Sequence, residues 1–140
     1  MLNWCRRFNI FCLLDSQGYS DDQSAYDWLL AAGCRHSVSL DRKTGFEKLN
    51  AFSQQHNNWL FGHFGYGFTN ANDRPETVAE DEVLFDDGFF FVPEILIFHR
   101  DNEIYIECNG ALPEIIFNEI QSCSPVIEKN TDAAITLQHG

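Results

Sequence analysis

The polar pair Asp15-Ser16 follows directly on the apolar run Phe8–Leu14. At the end of a buried strand, a carboxylate, a hydroxyl and backbone amides can converge on one ligand. A carboxylate suits an α-ammonium group, and N–H donors suit a carboxylate. The same residues also open an ordinary turn, Asp15-Ser16-Gln17-Gly18, and local sequence alone favours that plainer role. His63 is the candidate general base, yet a base needs a partner that orients it and a proton within reach. A histidine set among aromatics reads first as a satisfied, partly buried residue. Asp86 and Asp87 are adjacent, so on a strand they would point to opposite faces and make a poor acid/base pair. The chain has no GxSxG, HExxH, P-loop or GxGxxG motif. Gly62-His63-Phe64-Gly65-Tyr66-Gly67 is glycine-rich, but it lacks the lysine and the strand-to-helix context that phosphate cradling uses. No catalytic residue and no metal ligand is assigned.

These residues depend on a few elements for their positions. The central one is Asn58–Asn70, apolar and aromatic, with Gly62, Gly65 and Gly67 inside it. Read with period two, Trp59, Phe61 and His63 share one face, and Leu60, Phe64 and Tyr66 share the other. Bulk on both faces predicts a central strand of a covered sheet, with the glycines marking a bend or a close approach. Phe8–Leu14 is a further strand, also bulky on both faces. Tyr26–Ala32 reads as a strand or a short helix, closed by Gly33. His36–Leu40 alternates like a strand and pairs with the preceding run as a hairpin. Thr44 and Glu47 have capping-box spacing, and Phe46, Leu49 and Phe52 follow at helical intervals, so a helix runs to about His56-Asn57. Phe89–Phe98 is apolar but interrupted at Pro93-Glu94, which predicts a bulge, an edge or a break. Asp101-Asn102 suits a two-residue hairpin turn into Glu103–Asn109, with Ile104, Ile106 and Cys108 inward. Pro113 suits the first turn of a helix that carries Ile116 and Ile120 and ends near Ser122. Met1–Arg7 reads as a short helical turn or arm anchored by Trp4. Ala71–Asp87 is a long acidic loop. The expected fold is α+β, a mainly antiparallel sheet with two or three packed helices. Residues 1–123 form the domain, and residues 124–140 a linker or tail.

The chain has 140 residues, of which 44% are hydrophobic, enough for a real core in one domain. Its formal net charge of −12 opposes binding to phosphate backbones and to anionic membrane surfaces. The acidic residues cluster at Glu76–Asp87 and Asp21-Asp22, which read as solvated loops. The chain contains no signal-peptide pattern and no apolar run long enough to span a bilayer. Its cysteines, Cys5, Cys12, Cys34, Cys108 and Cys123, are odd in number and without CxxC spacing, which predicts reduced thiols and a cytoplasmic location.

Three segments, in order, resemble one family. Leu13-Leu14-Asp15-Ser16 is similar to the Leu-Leu-Glu-Ser-type motif near the N-terminus of anthranilate synthase component I and para-aminobenzoate (aminodeoxychorismate) synthase component I. Trp59-Leu60-Phe61-Gly62-His63-Phe64-Gly65-Tyr66 resembles the aromatic Gly-Tyr segment of that region. Phe89-Phe90-Phe91-Val92-Pro93-Glu94 resembles its next strand. The likeness covers roughly Trp4 to Cys108. It departs from the pattern at Gly67, where the family carries an acidic residue, at Leu84–Gly88, which lacks a proline, and at Asp15, a shorter acid than glutamate. The resemblance implies the N-terminal domain of an enzyme that aminates chorismate, with para-aminobenzoate preferred over anthranilate as the product. A free-standing amino-acid-binding regulatory module is the other reading. It further implies an amino-acid pocket of the kind that takes tryptophan, carried here by Asp15 and Ser16 with Tyr26 as part of its wall. The implied partners are a C-terminal chorismate-binding domain, which would hold Mg2+, and a glutamine amidotransferase subunit. The resemblance implies no cofactor for this segment itself, and no turnover by it alone.

Overall fold

The computed structural model describes residues 1–18, 25–65, 68 and 87–123. The acidic stretch 71–86, the tail 124–140, and Asp21, Asp22, Tyr66, Gly67 and Asp86 lie outside the described residues. Within them the order is α1 (Leu2–Cys5), β1 (Phe11–Asp15), β2 (Trp28–Ala32), β3 (His36–Leu40), α2 (Gly45–His56), β4 (Phe61–Phe64), β5 (Gly88–Val92), β6 (Ile95–Arg100), β7 (Glu103–Cys108) and α3 (Pro113–Ser122). The fold is α+β, with antiparallel pairing throughout.

The strands divide between two sheets, ordered β1-β2-β6-β7 and β3-β5-β4. Ala31 and Leu96 of the first sheet form one buried cluster with Phe61 and Phe91 of the second, so the sheets face each other. On the other face of the first sheet, Leu30, Ala32 and Ile97 pack with Trp4 and Cys5 of α1 and Ile116 of α3. Helix α2 covers β3 and β5 of the second sheet. Alternate residues of β2 therefore serve two cores, which explains why Leu-Leu-Ala-Ala is apolar without alternation.

Several sequence expectations are corrected here. Among the described residues, the Asn58–Asn70 stretch holds an edge strand, not a central one, because β4 pairs there with β5 alone. Phe61 is buried, but Trp59, Gly62, His63 and Phe64 are exposed; β5 is the strand with neighbours on both sides. Strand β1 is likewise an edge, with Phe11 44% and Leu14 52% exposed, so it is not covered on both faces. Strands β2 and β3 form no hairpin. Gly33, at φ 74°, turns the chain out of the first sheet, and β3 pairs with β5. Pro93-Glu94 makes the reverse crossing, from β5 to β6, which is why a proline is tolerated inside so apolar a run.

The local turn signals hold. Asp101 and Asn102 have φ of 52° and 63° between paired Arg100 and Glu103. Pro113 opens α3, and Ile116 is buried beneath it. On β7, Ile106 and Cys108 are half-buried, but Ile104 is exposed because this strand is also an edge.

The capping box at Thr44 does not form, since Thr44 makes no side-chain cap bond. Asp41 replaces it. Its carboxylate accepts the N–H of Lys43 at 3.0 Å and of Thr44 at 2.9 Å, takes the Thr44 hydroxyl, and pairs with Lys48. The Lys48 ammonium, then the Thr44 bonds, hold the Asp41 carboxyl far below the usual carboxylate range. A carboxyl depressed by folding contributes stability above its unfolded pKa, and that contribution is lost as acid titrates the folded group. Asp41→Ala is therefore expected to lower the melting temperature by a few degrees at neutral pH. The gap should close only under strongly acidic conditions. Paired thermal melts across pH check this, and an unchanged neutral melt would contradict it.

Candidate functional site

Strand β1 ends at Asp15, and the turn beyond it is built by that residue. The Asp15 carboxylate accepts the Gln17 N–H at 2.8 Å, and Gln17 and Gly18 follow at φ 51° and 75°. The Ser16 N–H donates to the Asp27 carbonyl at 3.0 Å, and the Asp27 N–H donates to the His99 carbonyl at 3.0 Å. The ends of β1, β2 and β6 are thereby tied into one rim.

A cavity of about 340 Å³ opens at this rim, lined by Leu14, Asp15, Ser16, Ala25, Tyr26, Asp27, Trp28 and Leu29. The structure brings together Asp15, Ser16 and Tyr26, the three residues that the sequence picked out. Tyr26 is held edge-on by Phe98 at 5.1 Å and by Trp59 at 5.9 Å between ring centroids. The Asp15-Ser16 turn forms as the plainer reading has it, and both residues also line the cavity.

Sequence reasoning missed a second carboxylate here. Asp27 lines the cavity, and its Oδ2 lies 2.5 Å from His99 Nδ1. The His99 ring stacks on Trp28 at 5.9 Å and 10°. No local pattern signals this pair, since it depends on the Trp28↔His99 register of β2 with β6. Asp15, Ser16, Tyr26, Asp27 and Trp28 all contribute to the cavity's lining, with the Tyr26 ring packed on Phe98 and the Trp28 ring on His99. This arrangement favours an ammonium group beside an apolar or aromatic body. The Ser16 amide is already bonded to Asp27, so the lining residues offer the Ser16 and Tyr26 hydroxyls and the Trp28 indole N–H as side-chain donors.

The other candidates stay apart from this rim. His63 is exposed on β4 opposite Phe89, with no hydrogen-bond partner among the described residues, so it is not the satisfied, partly buried residue its neighbours suggested. Asp87 pairs with Arg42 at 2.9 Å and acts as a clasp between β5 and the start of α2. All of Cys5, Cys12, Cys34, Cys108 and Cys123 are free thiols, and burial pushes Cys5 and Cys12 upward in pKa. Among the described residues, no group of three or more histidines, cysteines and carboxylates is placed to hold a metal ion. No described helix is long and apolar enough to cross a membrane. No family model matches the chain, and no curated protein matches it.

Proposed function

We propose that this chain is the N-terminal, non-catalytic domain of a para-aminobenzoate synthase component I, an enzyme that aminates chorismate to 4-amino-4-deoxychorismate in folate biosynthesis. The observation that carries this reading is the shared cavity of Asp15, Ser16 and Tyr26. It adds to the ordered resemblance of three segments, Leu13–Ser16, Trp59–Tyr66 and Phe89–Glu94. Its role is to bind an amino acid of the tryptophan type and to pack against a chorismate-binding domain. That domain would carry the Mg2+ chemistry and receive ammonia from an amidotransferase partner. In the pocket, Asp15 would take the ligand's ammonium, the Ser16 hydroxyl its carboxylate, and Tyr26 its ring.

The encoded sequence beyond Gly140 tests the parent enzyme. A chorismate-binding domain in the same reading frame is expected, and an unrelated sequence there would overturn the assignment. The pocket is tested by substitution. Asp15→Ala removes one charge-assisted contact and is expected to weaken tryptophan binding by about tenfold or more, read by calorimetry. Equal affinity of the variant would remove Asp15 from the site.

A further inference from the structure

A second cavity, of about 610 Å³, shares no lining residue with the first; Ser53, Asn57, Asn58, Trp59, Leu60 and Glu107 surround it. Three features of different origin give it one electrostatic character. Helix α2 ends here, with Asn57 at φ 42° donating its N–H to the Ser53 carbonyl, so the negative end of the helix dipole faces this region. Glu107 adds a full negative charge from β7 and makes no ion pair among the described residues. Trp59 supplies an indole that is 39% exposed. Its aromatic surface continues through Tyr26 and Phe98 to Tyr105, whose ring stacks on Phe98 at 4.9 Å. At the far end, the Tyr105 hydroxyl donates to Glu103 at 2.8 Å, and the Glu103 carboxylate pushes the phenol pKa up, so the tyrosine stays neutral.

An anion would be repelled by Glu107 and by the end of α2. A neutral ligand could use Trp59 and the two asparagines, but it would be indifferent to the charge on Glu107. We infer that this cavity binds an organic cation of the guanidinium class, stacked on Trp59 and donating N–H groups to Glu107. A guanidinium fits better than an ammonium because it is planar, stacks on aromatic rings and matches a carboxylate with two parallel donors. The overall charge of −12 would also draw such a cation toward the protein.

The same chemistry can arrive as a free small molecule or as an arginine side chain, and two probes separate these sources. Butylguanidinium and the peptide acetyl-Gly-Arg-Gly-amide are titrated into the protein while tryptophan fluorescence is followed. Butylurea and the citrulline peptide serve as uncharged isosteres. Saturable binding is expected at millimolar concentration for at least one cation, with its isostere silent. Saturation by the small cation identifies a free ligand, and saturation by the peptide alone identifies a polypeptide partner. Glu107→Gln is expected to weaken binding by about tenfold. Because Glu107 is exposed, this variant should melt with the parent protein, and Trp59→Phe should abolish the signal while calorimetric binding persists. The inference is overturned if neither cation saturates, if the isostere binds equally well, or if Glu107→Gln binds unchanged.

Discussion

Replacing Trp4 with alanine is expected to remove about 3–5 kcal/mol of folding stability, against a total of about 5–15 kcal/mol for a domain of ordinary stability. Trp4 is 1% exposed and is the largest of the fully buried side chains. Helix α1 has only four residues, too few to persist without tertiary contacts. Its docking therefore rests on Trp4 and Cys5, which reach Leu30, Ala32, Ile97 and Ile116. The Trp4 indole N–H also donates to Glu119 of α3 at 3.2 Å, and Arg7 pairs with the same oxygen. Removing the indole would leave a cavity between the first sheet and its helix layer and release both ends of that clasp. Urea denaturation checks this. A midpoint close to that of the parent protein would show that the arm contributes little.

Gly62→Ala is expected to cost about 3 kcal/mol, the upper end of ordinary overpacking. A Cβ at Gly62 would lie 2.0 Å from the Phe89 carbonyl oxygen and 2.7 Å from the Phe90 Cα. Both are backbone atoms of the strand that β4 pairs with, so no rotamer change relieves the contact. Strand β4 would have to shift away from β5 and take Phe61 out of the cluster between the sheets. The expected result is a lower denaturation midpoint together with faster amide exchange along β4 and β5. Parent-like exchange in those strands would contradict this account of the glycine.

The contrast between these two sites shows what the sequence could disclose. The Asp101-Asn102 turn and the start of α3 at Pro113 were legible, because each depends on residues within a few positions of one another, and Trp4 stood out as an anchor by its size alone. The partners of the strands were not. Asn58–Asn70 has bulk on both faces, as a central strand would, yet β4 lies at an edge. Its Phe64 instead meets rings from elsewhere in the fold, Phe46 of α2 at 5.8 Å and Phe90 of β5 at 4.9 Å, as well as Phe68 of the same stretch at 4.8 Å. The hairpin expected between β2 and β3 failed because Gly33 redirects the chain between sheets, and a glycine after an apolar run does not state which way it turns. Thr44 is the residue before α2, as its spacing implied, but the carboxylate that fixes the turn into the helix is Asp41, three residues upstream. For the candidate site, Asp15-Ser16 stood out as a polar pair ending an apolar run, while Tyr26, remote from it in the chain, was named only through the family resemblance. Asp27 and His99 were invisible because strand register alone pairs them.

The arrangement of the Asp15 rim gives the proposed function its physical content. Asp15, Ser16, Tyr26 and Asp27 line one cavity where three strands end, and Asp27 also holds His99 beside it. On the proposed reading, this rim holds an amino acid by its ammonium and its side chain. Calorimetric titration of the protein with tryptophan tests this most directly. The account predicts saturable heat at submillimolar to millimolar ligand, together with a raised melting temperature. No heat and no thermal shift at millimolar tryptophan would contradict it.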